Sequence, residues 1–349
     1  MLFRSIVSAG SVEVAGRYGA ALGALRNAGG RIEATDGDLV VRTVAADGEG
    51  ALAAGGGLAL TVANDLVHQG ELYAGGDLRL TVDGRLENAG SIVADAGVVL
   101  EGVVVVNDGA VSAGDGLDAR AAGDLTNRGS LLAGEGLGLV AGGRLTNAAD
   151  AGIVSAAADV ALQAAALIND GGVAAARGLS AVISGSAVNR GLLLGGQDLR
   201  LGVGGTLDNV KGAILADAGD LVIEGTTSGS AAAAVNNRSG LIEATSGDVT
   251  IRAGALRNTI DGGVVQRTVR VFDEKYYFQD YAIDELPDWN DAPGYQAHEG
   301  GATYWRRESS AHVIVPDPYL GYDYATYWTS AYGGAEGSYV HVYADEVQR

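Results

Sequence analysis

Between residues 70 and 209 the apolar positions alternate with small or polar ones in runs of three to five residues, and each run stops at Gly, Asp or Asn. Leu72 and Ala74, Leu78 and Leu80, and Leu86 mark one set of three runs, and Ile92 and Ala94 open the next. A period of two over so few residues, closed by turn formers, predicts short half-buried strands. The set of three then recurs. Its closing Asn falls at Asn88, Asn107, Asn127, Asn147, Asn169, Asn189 and Asn209, in steps of 19, 20, 20, 22, 20 and 20. A fixed period of this length predicts an all-β solenoid with three short strands per coil.

The same phrase extends in both directions. Upstream, Ile32 and Leu39 repeat it, as do Leu52 and Leu58, and the latter coil closes at His68 in place of Asn. Downstream, it runs through Ile214, Leu221, Leu241 and Ile251 to Asn258. Counting from Ile32 gives roughly eleven coils, hence a rod on the order of 50 Å long at one strand spacing per coil. Helix is the rival for the alanine-rich residues 156–166, on propensity alone. Phase argues against it, since Ile153, Leu162 and Asn169 stay in step with the coils on both sides. Residues 16–21 and 226–233 exceed the period and are expected to bulge outward as candidate contact loops.

Each recurring residue type suggests a mechanical use. Gly90, Gly109, Gly129, Gly191 and Gly212 are expected to supply positive φ at a corner. The closing Asn tolerates a left-handed corner, and in register its amide can bond the amide of the next coil. That makes Asn88 to Asn209 a structural ladder in this reading.

Composition narrows the function. A net charge of −20 without a basic tract argues against nucleic acid or an anionic membrane as partner. There is no Cys, which excludes disulfides and thiolate chemistry. The apolar run at the N-terminus is too short for a signal peptide, and no stretch reaches the 18 uncharged apolar residues that a membrane helix needs.

Beyond residue 263 the chain changes character, giving two expected domains, 1–263 and 264–349. All four Pro and all three Trp lie in the second. It reads as an aromatic-rich β or loop module, with two roles left open. The rings could form a core or cap, or a surface that binds a glycan or protein. Trp305, Arg306, Arg307, Tyr322, Tyr324 and Trp328 are the candidate contact residues.

Catalysis and metal binding find little support. Asp38, Asp77, Asp159, Asp198, Asp220 and Asp248 precede the second strand of their coils, and the last three sit on successive coils. Adjacent acids are the starting point for glycoside hydrolysis or a calcium row. Yet no Lys or His recurs beside them and other coils carry Gly there, so a turn-forming role is preferred. His298, His312 and His341 lack ligand spacing. No catalytic residue, metal or cofactor is expected.

Phrases such as Leu125-Thr126-Asn127-Arg128-Gly129-Ser130-Leu131-Leu132-Ala133 and Leu207-Asp208-Asn209-Val210-Lys211-Gly212-Ala213-Ile214 resemble the repeats of filamentous haemagglutinins. These are bacterial exoproteins of two-partner secretion systems, and they include adhesins and contact-dependent growth-inhibition effectors. The resemblance covers residues 6–263 and implies a right-handed parallel β-helix, exported by an outer-membrane transporter and displayed at the cell surface. It further implies a non-enzymatic adhesin-like protein whose partner is a receptor on a host or neighbouring cell. The alternatives are the stalk of a contact-dependent inhibition effector and a β-helix enzyme acting on polysaccharide. Without a secretion domain, signal sequence or toxin domain, the chain reads as a partial piece of such a protein.

Overall fold

A computed structural model describes the backbone of residues 5–7, 11–14 and 18–260 and of strands between 267 and 344, with side chains for 19–260. The chain divides into two units, Met1–Thr259 and Ile260–Arg349. In the second, Arg267–Tyr277 pairs antiparallel with Gly334–Ala344. Side chains of Trp305, Arg306, Arg307, Tyr322, Tyr324 and Trp328 lie outside the described residues, as do those of His298, His312 and His341.

The first unit is a parallel β-solenoid, and its winding is consistent with a right-handed β-helix. Each coil gives one strand to a minor sheet of 12 strands, and either two short strands or one long one, such as Leu137–Asn147, to a major sheet of 21. The coil containing Glu71–Ala74, Leu78–Val82 and Arg85–Asn88 is representative. Its strands pair with those about 20 residues away in either direction, Leu78 with Leu58 and Val98 and Asn88 with His68 and Asn107. Twelve strands in the minor sheet span about 55 Å. One of them, Ser11–Val14, forms a coil upstream of the first one counted from sequence.

Alternation puts one side of every strand inside. Leu78, Leu80, Leu86 and Ile92 are fully buried, and inward Leu, Ile, Val and Ala from successive coils stack into one continuous core. No helix occurs among the described residues. The alanine-rich residues 156–166 instead run through a turn into strand Val160–Asn169, paired with both neighbouring coils. Stacking decides this, because a helix there would leave two coils with unpaired strand edges.

Three expectations fail. Gly90, Gly109, Gly129, Gly191 and Gly212 do not have positive φ, which among the described glycines occurs at Gly29, Gly48 and Gly229. Glycine is needed at these corners because coils stack closely. A β-carbon on Gly129 would fall inside the carbonyl oxygen of Gly109, and one on Gly109 inside that of Gly90. The ladder Asn residues are not left-handed either; the described non-glycine residues with positive φ are Asp150, Lys211 and Ser239. Residues 18–21 are no bulge, since Tyr18–Arg26 is a strand paired along Leu39–Ala46. Of the expected loop 226–233, residues 226–231 do stand out between Leu221–Glu224 and Ala234–Arg238, while Ala232 returns to the core and bridges to Ala253.

Candidate functional site: a buried amide ladder and capped corners

The closing Asn sits at the end of the third strand of each coil with its side chain inward. Asn88, Asn107, Asn127, Asn147, Asn169, Asn189 and Asn209 are at most 2% exposed. Each donates Nδ2–H to the Oδ1 of the next, at 2.7 Å from Asn88 to Asn107 and 2.8–2.9 Å onward to Asn209. The row continues through Asn237 to Asn258 at 2.8 and 2.9 Å. Eight amide links thus run along the axis in one direction. The amides also donate to backbone carbonyls, as Asn127 does to Gly152 at 3.1 Å. Buried amides are tolerated only when so satisfied.

The ladder breaks toward the N-terminus. His68 takes the slot before Asn88, 1% exposed, with Nε2 3.3 Å from the carbonyl oxygen of Ser91. Burial pushes its pKa below the ordinary value, and the carbonyls of Ser91, Gly48 and Gly70 offset part of that. One coil earlier the slot falls to Gly48, whose carbonyl accepts from Gln69 and Gly70 as that of Asn88 does from Asp108 and Gly109. A cavity of about 10 Å³ lies there, lined in part by Asn27, Asp47 and His68. Its size suits one water molecule.

At the corners, acids hold the next coil rather than their own turn. Asp38, Asp77 and Asp159 accept the backbone N–H of Gly57, Gly97 and Gly178 at 2.8–3.0 Å. Asp198 accepts from Asp220 and Asp220 from Asp248, both at 2.9 Å. Asp198, Asp220 and Asp248 thus follow one another along one edge, the first two carboxylates each turned toward the backbone amide of the next. A second corner repeats the device with Asp65 and Asp124, which accept from Arg85 and Arg144 at 2.7 Å. Sequence reasoning missed that second row, although its 20-residue offset from Arg85 and Arg144 is visible.

Between Asp77 and Asp159 three coils carry Gly97, Gly116 and Gly136 in the acid's slot, leaving an open groove of about 710 Å³. No grouping of three or more His, Cys, Asp and Glu suited to a metal ion exists among the described residues. Under the loop at 226–233 lies Glu224, 1% exposed. It meets Arg200 at 2.6 Å and Arg252 at 3.3 Å and accepts the N–H of Gly229 at 2.7 Å. Nothing in the sequence flagged it, because its partners come from three places in the chain. What these groups do together is hold coils in register and pin one loop.

A family model for the haemagglutinin repeat matches residues 5–90 and 89–150. A tRNA nuclease CdiA of Escherichia coli (strain STEC_O31) is 35% identical over 237 residues, 67% of this chain and 6% of that protein. A deoxyribonuclease CdiA of Dickeya dadantii (strain 3937) is 31% identical over 241 residues, 68% of this chain and again 6% of its own length. The chain thus spans about 6% of the length of these curated relatives. No solved structure matches it.

Proposed function

Because the chain belongs to the filamentous haemagglutinin-type exoproteins as a repeat region of that family, we propose that it is an adhesin-like stalk. In this reading it is exported by a two-partner outer-membrane transporter and displayed at the cell surface, where it carries contact-making parts of an exoprotein toward a host or neighbouring cell. The carrying observation is the unbroken row of amide links from Asn88 to Asn258. A rod that must hold its length gains from bonds repeated at every coil, whereas a catalytic cleft needs variation at one place. Lack of Cys suits a chain kept unfolded during export. The nuclease in the relatives' names is said of proteins far longer than this chain, and the stalk itself is proposed to be non-enzymatic.

Removal of residues 108–147 from the surface-displayed exoprotein tests the stalk. It excises two coils and stacks Asn107 directly beneath Asn169. A stalk retains export and cell contact with a reach shorter by about 10 Å. Loss of contact with display intact would place the contact site within those coils and end the stalk reading.

A further inference from the structure

On the outside of the minor sheet, the seven strands from Ser91–Ala94 to Ala213–Ala216 present no charged residue. The chain as a whole carries −20, and the outer face of the major sheet is studded with ion pairs such as Arg79–Glu101, Arg85–Glu87 and Arg120–Asp118. The uncharged face has a relief. Its outward row at the third strand position is mostly large, with Val93, Leu132, Val154, Leu194 and Leu215 in register. Leu132 and Val154 are 42% and 37% exposed. The row at the first position is small, with Ser91, Ala110, Ser130, Gly152, Gly172 and Ala213, and Leu192 as its exception.

We infer that this face binds the same face of a second copy, the two rods lying parallel about a two-fold axis along their length. That operation sets the large row of each copy on the small row of the other. A two-fold across the rods would instead set large on large. The parallel arrangement also brings the corner before the strand in one copy against the corner after it in the other, coil by coil. Those corners are complementary in charge. Arg128 meets Glu135, Asp170 meets Arg177, and Lys211 meets Asp217, each twice by symmetry, and apart from half-buried Asp170 all are exposed. One pair, Asp108 with Asp115, is like-charged, and Asp108 is already neutralised by Arg128 at 2.8 Å.

The size is adequate. Seven strands of four residues cover roughly 34 Å by 13 Å. With one corner side chain on each edge this reaches on the order of 800 Å² per copy, the scale at which specific protein pairs hold. The absence of charge lets two acidic rods approach here and nowhere else along the described solenoid as easily.

Sedimentation equilibrium of the full chain tests the inference. The expected result is a dimer with Kd of roughly 1–100 µM. Leu132→Lys is expected to weaken it at least ten-fold at unchanged circular dichroism. Asp217→Lys, on an exposed corner where folding is not at risk, is expected to weaken it several-fold, and Lys211→Asp with Asp217→Lys to restore it. A chain monomeric to ~100 µM, a dimer indifferent to Leu132→Lys, or failure of the paired reversal to rescue would each overturn the parallel pairing.

Discussion

Asn147 donates to Asn169 and accepts from Asn127, both at 2.9 Å, and also donates to the carbonyl of Gly172. Asn147→Ala removes these bonds and strands a donor and an acceptor in the core. It is expected to cost about 2–4 kcal/mol by chemical denaturation, more than a typical exposed substitution. His68 offers the opposite case. Since burial lowers its pKa, the folded chain binds this proton less well than the unfolded chain does. Its contribution is therefore complete above about pH 6.5 and is lost as pH falls toward the folded value. His68→Asn restores an amide to the slot before Asn88, and the difference between the two stability profiles below pH 6.5 is expected to report this histidine alone. Glycine is likewise specific to place. Gly129→Ala is expected to destabilise by about 1–3 kcal/mol through its clash with Gly109, while Gly152, with open space around its β-carbon, is expected to tolerate Ala.

Among elements, the loop at 226–233 depends on a buried acid that its own sequence does not announce. Glu224→Gln keeps the shape but removes the charge that holds Arg200 and Arg252. Both arginines retain about half their exposure, so water replaces part of what they lose and the cost is set near 1–2 kcal/mol, below that of a fully buried pair. Limited proteolysis is expected to cut this loop faster in the variant. The corners show the same logic in reverse. Coils with Asp at the second-strand corner tie down the next coil's amide, and coils with Gly leave the open groove between Asp77 and Asp159.

Across the whole first unit, stability is a sum over coils and their interfaces, so it varies with position. In the last described coil, core-facing Val249 and Leu256 are 46% and 57% exposed, where their register partners Leu221 and Val235 are fully buried. Hydrogen exchange is accordingly expected to be fastest around residues 241–259 and slowest from Leu78 to Ile223. Uniform exchange along the rod would mean that the coils unfold as one unit and not as an array.

Much of this architecture was legible because the solenoid pairs residues one period apart. A step of 20 residues in the sequence is one step of the stack, so strand phase, Asn spacing and the strand at 160–169 could all be read in one dimension. The distance between coils could not. Close stacking is what demands Gly129, turns Asp220 toward the amide of Asp248, and gives the amide row its single direction. Glu224, whose partners come from Arg200, Gly229 and Arg252, was invisible for the same reason. The sequence by itself determined which residues face in and how often the chain turns, since alternation and period are local. Only the tertiary structure decided what each corner residue touches, because a few ångströms between coils determine whether a β-carbon fits and which amide a carboxylate reaches.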